Sequence, residues 1–180
     1  FRDARLAAAI IRLRRLPGPR LFQYRAASGR ICLLTAREVN EFLREIAGGH
    51  SHNYRIALQA GQFMRVVLKQ KAIGVALVLA APDGKQVLEV NLTPAGGLES
   101  LSAEATASGD YRLTVRASGS AAIAGSYQVR LEVKAVATAQ DRLRIAAERW
   151  MLEASELQSQ GGKTAEQTID KLQAALSVWR

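Results

Sequence analysis

The chain has 180 residues, of which 48% are hydrophobic and 23% charged, a composition typical of a globular protein with a buried core. Its single cysteine excludes a disulfide-stapled fold, and no run approaches the roughly 18–20 apolar residues of a membrane-spanning helix. The formal net charge of +9 is uneven: residues 1–40 contain nine arginines and two acids, whereas residues 41–180 contain 16 basic and 14 acidic residues. The excess positive charge therefore belongs mainly to the N-terminal region.

The first predicted region is a basic arm, residues 1–36. Its arginines could neutralise the phosphates of nucleic acid or of an anionic membrane, although few aromatic residues are present to stack on bases. The apolar run 6–11 follows Arg2 and Arg5 but is shorter than the core of about 7–15 residues in a secretory signal. The arm is thus open to three interpretations, namely an unstructured, a targeting or a polyanion-binding segment. The compartment, cytoplasmic or exported, is not determined.

The second region, residues 37–136, has the pattern of a β-sandwich or barrel. Tyr54, Ile56 and Leu58 alternate with more polar residues, and the same period of two recurs at residues 111–116 and 127–134. This alternation is typical of half-buried strands. Short strands separated by glycine- or proline-containing turns, without intervening helices, indicate a sandwich or a barrel.

Three further segments of this region need separate interpretation. The runs 63–68 and 75–81 are more uniformly apolar and predict central strands. Residues 39–46 are ambiguous, because their apolar residues have helical spacing although the segment leads directly into Gly48 and Gly49. Periodicity alone would predict a helix there.

The third region, residues 137–180, has the pattern of two helices joined by a short turn. Thr138 and Asp141 form a capping-box pattern at the start of the first helix, and Thr164 with Gln167 repeats it for the second. The apolar stripes are Leu143, Ala147, Trp150, Met151, Ala154 and Leu157, then Ile169, Leu172, Ala175, Leu176 and Trp179. The sequence therefore predicts an antiparallel helix hairpin.

The β region resembles the bacterial pre-peptidase C-terminal (PPC) domain, a small jelly-roll-like sandwich. The resemblance rests on segments 48–61, 75–84, 109–115 and 125–129. In the last two segments a Gly-x-Tyr sequence opens an alternating strand. The resemblance implies that residues 39–46 form a strand. The expected fold class is mainly β with C-terminal α, a jelly-roll-like β-sandwich followed by the helix hairpin.

The C-terminal region looks like the first unit of a tetratricopeptide (TPR) array. The matching positions are Trp150, Ala154 and Leu157 in the first helix and Thr168, Leu172 and Ala175 in the second. Thr168 replaces the usual alanine, and the connection is two residues longer than usual. Because one repeat cannot bury its own apolar face, we expect further repeats after Arg180. The chain starts at Phe1 rather than Met, and we expect it to be part of a longer protein.

The order of sandwich and helices resembles the N-terminal region of bacterial CHAT-domain TPR proteins, in which a caspase-like protease domain lies downstream. The matching helical segments are residues 146–149 and 175–180. The resemblance implies a recognition module with protein partners, including the downstream repeats. The catalytic His and Cys of such a protease would lie outside these 180 residues.

Candidate sites for metal binding or catalysis are few. His50 and His52 have a spacing that could serve a metal, but zinc needs at least a third protein ligand and the nearby sequence offers none. Solvated turn histidines are the competing interpretation. Cys32 lies in an apolar run that does not activate a thiol. We therefore expect no enzyme activity and no cofactor in this chain.

Strand alternation predicts an exposed basic sheet face that could bind a partner. Its residues are Arg55, Arg65, Lys69, Arg112 and Arg130. Trp150 and Trp179 are further candidate interaction residues, with packing between helices as the alternative. Two other functions are polyanion binding through the arm and glycan binding by the sandwich. Glycan binding usually needs exposed aromatic residues, whereas alternation places most aromatic residues of the β region inward.

Overall fold

A computed structural model describes residues 32–34, 40–120, 122–159 and 165–179. The strands of this part of the chain are β1 (Cys32–Leu34), β2 (Asn40–Ala47), β3 (Ser51–Leu58), β4 (Phe63–Lys71), β5 (Val75–Ala80), β6 (Gln86–Val90), β7 (Leu98–Glu104), β8 (Gly109–Ala117) and β9 (Ala124–Lys134). The helices are α1 (Ala139–Ser159) and α2 (Ala165–Trp179). Apart from β1, the predicted basic arm lies outside the described residues. The same holds for Thr164 and for the side chain of Gln167, which make up the second predicted capping pattern.

The strands form two sheets. Sheet A has the order β1-β3-β8-β5-β6, and sheet B has the order β2-β9-β4-β7. The pairings are antiparallel except that of β1 with β3, which is parallel. Since the chain repeatedly crosses from one sheet to the other, each sheet contains strands that are distant in sequence. The predicted fold class, a sandwich followed by a helix hairpin, is confirmed.

The strands predicted from apolar runs lie inside the sheets. β4 lies between β9 and β7, and β5 lies between β8 and β6. β2 confirms the strand implied for the ambiguous segment, and it pairs with β9 along its whole length. Within β2, Ile46 is buried and Phe42 packs against the core, whereas Leu43 is 62% exposed. This distribution follows strand alternation and not a helical stripe.

The core between the sheets consists of inward-facing side chains of both. Tyr54, Ile56 and Leu77 of sheet A and Val66 and Leu131 of sheet B are at most 2% exposed. Burying such side chains contributes roughly 1.5–3 kcal/mol each to the free energy of unfolding, before the entropy cost of ordering them. This core orients the alternate, outward-facing residues of each strand.

Gly125 lies within β9, although a glycine inside a strand usually weakens it. An added Cβ at Gly125 would lie 2.5 Å from the Lys71 carbonyl oxygen, so the close approach of β4 and β9 needs a glycine there. The turn between β8 and β9 lies earlier in the chain, where Gly119 has a positive φ of 86°. The glycine thus marks tight strand packing instead of chain reversal.

The helix hairpin packs on sheet B. The capping box at the start of α1 is confirmed, because the Asp141 amide donates to Thr138 Oγ1 at 3.2 Å and the Thr138 amide donates to Asp141 Oδ2 at 3.0 Å. α1 contacts both β7 and α2, and Leu152 packs against the sandwich core. Neither described helix has the length and apolar character to cross a membrane.

Candidate interaction surfaces

The five predicted basic residues lie on two different sheets. Arg55 on β3 and Arg112 on β8 face outward from sheet A. Lys69 and Arg65 on β4 and Arg130 on β9 lie on the outer side of sheet B. The predicted single face is thus divided between opposite faces of the sandwich, because alternation separates inward from outward residues without assigning a strand to a sheet.

Two arginines are neighbours at the centre of sheet A. Arg55 lies directly opposite Arg112 in the β3–β8 pair, a position in which Cβ atoms are roughly 4.5–5.5 Å apart. Arg55 Nη1 is 3.3 Å from Asp110 Oδ2, with both side chains substantially exposed. Arg112 is exposed, and within the described residues it has no hydrogen bond or ion pair. One member of the arginine pair is therefore compensated by an acid and the other is not.

Small polar residues and a third arginine extend this outer face. Asn53 lies opposite Thr114, whose hydroxyl donates to Asn53 Oδ1 at 2.7 Å. On the other side of Thr114 lies Val78. Arg116, one further outward position along β8, forms an ion pair with Glu89 of β6. We call this set of outward residues on β3, β5, β6 and β8 the sheet A face.

The sheet B face is partly covered by α1. Glu148 of α1 is 3% exposed, and its Oε1 accepts hydrogen bonds from the hydroxyls of Ser100 at 2.9 Å and Ser102 at 3.1 Å. Arg142 of α1 donates two hydrogen bonds to Glu104, at 2.9 and 3.0 Å. The end of β7 therefore carries a polar contact with the helix and is not a free surface.

Arg65 belongs to this covered region. Burial lowers its pKa, as does the nearby positive charge of Arg144, while Glu148 and Glu132 have the opposite effect. The Arg65 Nε and Glu148 Oε2 atoms are buried without a hydrogen-bond partner in the described structure. Arg65 is thus placed to support the docking of α1. Lys69 and Arg130 are exposed, and Arg130 lies opposite Glu41 of β2.

The two histidines have different environments. His50 is exposed in the turn before β3, while His52 is half-buried in β3 with its Nδ1 2.6 Å from the Tyr127 hydroxyl. Burial lowers the pKa of His52 from 6.5, and the charges of Arg44 and His50 lower it further. No group of three or more His, Cys, Asp or Glu side chains in the described residues is placed to hold a metal. Among the residues that the structure describes, the pair therefore has no third ligand.

Both helices expose apolar side chains. Trp150 is partly exposed, whereas the side chain of Trp179 lies outside the described residues. Leu143 of α1 is 52% exposed, and Ile169 and Leu176 of α2 are 52% and 57% exposed. Part of each predicted apolar stripe is therefore not covered by the sandwich or by the opposite helix.

Sequence reasoning missed several residues that matter in these surfaces. Arg116 lies on the same outward side of β8 as Arg112, so strand alternation could have identified it. The roles of Asp110 and Glu89 could not be predicted, because their ion pairs join strands that are not consecutive in sequence. Glu148 lies in an amphipathic helix where an acidic residue is normally solvent-exposed.

Comparisons with known proteins give similarity in structure but not in sequence. The chain matches no protein-family model, and no curated protein sequence matches it. One similar solved structure is the pre-peptidase C-terminal domain of a collagenase from Bacillus anthracis, with 17% identity and a TM-score of 0.46 over 61% of this chain and 100% of that one. Another is PliG from Aeromonas hydrophila, a periplasmic inhibitor of g-type lysozyme, with 14% identity and a TM-score of 0.46 over 58% and 97%.

Proposed function

We propose that this chain is a non-catalytic protein-interaction module of a larger bacterial protein. The sandwich is its recognition part, and the helix hairpin is the first unit of a TPR-like array. The observation that carries this proposal is the arginine pair on the sheet A face, held outward on two interior strands, in which Asp110 compensates Arg55 but no acid in the described residues compensates Arg112. Polar and charged residues arranged on a rigid scaffold are suited to recognition.

The hairpin supports the second half of the proposal. α1 is held against the sandwich by Glu148 and Arg142, while Leu143, Ile169 and Leu176 stay exposed on the helices. An apolar helix surface of this kind is what a stacked neighbouring repeat buries. In this arrangement the sandwich covers one side of the array and the next repeat covers another.

We further propose that the module regulates a downstream caspase-like (CHAT) protease domain. The first test is the sequence of the parent gene beyond the codon for Arg180. Helical repeats of about 34 residues, followed by a domain with a catalytic His and Cys, are expected. In such a protein, deletion of residues 37–136 should change protease activity towards a peptide substrate. A gene without these domains, or unchanged activity after deletion, would reject the regulatory role.

Polyanion binding through the arginine-rich arm is the alternative function, and the concentration of positive charge in residues 1–40 favours it. The test is deletion of residues 1–31, which leaves β1 in place. If the arm is responsible, retention on heparin should become weak and lose its salt dependence.

The glycan-binding alternative has less support, because Tyr54, Phe63, Tyr111 and Tyr127 are all buried.

A further inference from the structure

We propose that the sheet A face binds an acidic segment of a partner protein, with partner carboxylates held by Arg55 and Arg112. This inference rests on the proposed interaction function and deepens it by naming the face and the chemistry of the partner. It begins from the position of the two arginines directly opposite each other on β3 and β8.

The arginine pair is unfavourable within the isolated chain. Like charges directly opposite each other destabilise an antiparallel pair. Asp110 offsets the charge of Arg55 at 3.3 Å, but within the described residues no acid pairs with Arg112. A bound carboxylate would supply the missing negative charge. The guanidinium group also has the planar fork that binds a carboxylate through two parallel hydrogen bonds.

The surroundings of the pair favour a polypeptide over other anions. Asp110 and Glu89 lie on the same face as Arg55, Arg112 and Arg116. These acids would repel a continuous polyphosphate or polysulfate. A peptide has separate carboxylates for the arginines and can also offer hydrogen-bond donors to the two acids. In the described sheet A face no outward side chain is aromatic, so stacking on bases or sugars has no platform there.

Charge also disfavours the occupants that this chain itself could supply. The N-terminal region carries nine arginines and two acids in its first 40 residues and would be repelled by the arginine pair. A second copy placed face to face would bring the arginines of both copies together. A carboxylate-rich segment of another protein is the occupant that complements the face.

The test uses the full chain and two synthetic peptides of equal length. One peptide alternates Glu and Asp with Ser and Ala, and the other has Gln and Asn in place of the acids. In an NMR titration of the isotope-labelled chain, the acidic peptide should shift amide signals of residues 53–55 and 112–114. The amide-containing peptide should not. Shifts confined to residues 1–31 would overturn the proposal, because the arm would then be the acceptor.

Two matched charge reversals locate the binding face. Arg55→Glu/Arg112→Glu should weaken binding of the acidic peptide about tenfold. Lys69→Glu/Lys71→Glu makes the same change in net charge on sheet B and should weaken it by less than about twofold. Equal weakening in both variants would show general charge attraction and would overturn the proposal. Thermal unfolding checks that both variants fold, and Arg112→Gln gives a milder variant with the same expected direction.

Two further outcomes separate this inference from the proposed function. Heparin and single-stranded DNA are titrated in the same way. If either shifts the β3 and β8 signals more strongly than the acidic peptide does, the assignment to an acidic polypeptide is overturned. If neither peptide binds, the sheet A face does not have this role. The regulatory function would then still be decided by the parent-gene sequence and by deletion of the sandwich, which do not depend on peptide binding.

Discussion

The hydroxyl oxygens of Tyr54 and Tyr127 lie 2.6 Å apart and join sheet A to sheet B by a hydrogen bond within the core. The Tyr127 hydroxyl is also 2.6 Å from Nδ1 of His52. The three side chains thus form a continuous polar connection between β3 and β9. Phe42 of β2 packs beside it, with its ring centre 5.1 Å from that of Tyr54. Because both tyrosines are at most 2% exposed, the hydrogen bond between their hydroxyls is shielded from water.

Replacement of the central hydroxyl should destabilise the sandwich. Tyr127→Phe removes a shared partner of Tyr54 and His52 and should lower the free energy of unfolding by about 1–3 kcal/mol. Urea denaturation followed by circular dichroism measures the change. A double-mutant cycle with Tyr54→Phe should give a coupling energy of about 0.5–3 kcal/mol. Strictly additive effects would show that the two hydroxyls do not depend on each other.

The environment of His52 predicts a loss of stability at mildly acidic pH. Its pKa lies below the 6.5 of an exposed histidine, because of burial and then of the charges of Arg44 and His50. The unfolded state therefore binds a proton more readily than the folded state. The contribution of neutral His52 to stability is full above pH 6.5 and is lost as the pH falls through the folded-state pKa.

Unfolding measured in urea at several pH values between about 7 and 5 tests the role of His52. The parent chain should lose stability as the pH falls, and His52→Gln should flatten that part of the profile. The variant His50→Gln, changed in the exposed turn, should keep most of the loss of stability. An unchanged slope in His52→Gln would assign the dependence to other groups.

The capping box predicts a second pH effect at lower pH. Burial alone would raise the pKa of Asp141, but hydrogen bonds from Lys134 and Thr138 outweigh it and lower the pKa from 3.8 to about 2. The stabilisation is therefore present above pH 3.8 and is lost as the pH falls toward 2. The loss should be on the order of 2 kcal/mol. Acid unfolding of Asp141→Asn should show a smaller decrease over the same range, and an identical decrease would contradict the assignment.

Helix docking depends on the buried Glu148 carboxylate. Glu148→Ala should leave the Ser100 and Ser102 hydroxyls without this acceptor and should destabilise the contact of α1 with β7 by about 1–3 kcal/mol. Hydrogen exchange should speed up in α1 more than in β4 and β9. Arg149→Ala, at the next position on an exposed side of the helix, should change exchange little. Equal acceleration in the sandwich and the helices would indicate a global loss of stability instead.

Several parts of the structure could be predicted from local sequence. Alternation identified the inward residues of β3, β8 and β9, because one face of each strand is buried. The apolar runs identified β4 and β5 as interior strands, and Thr138 with Asp141 identified the start of α1. By contrast, β6 has mostly exposed or half-buried residues, and β7 buries Glu99. Their patterns were therefore too weak to single them out.

The sequence alone thus determined which residues of the regular strands face inward and where the helices replace the strands, since both depend on short-range periodicity and capping chemistry. Only the tertiary structure decided that Arg55 and Arg112 are neighbours, that Lys69 and Arg130 lie on the opposite face, and that Tyr54 meets Tyr127. The physical reason is that strand pairing joins segments far apart in the chain. Alternation within a strand does not specify the neighbouring strand.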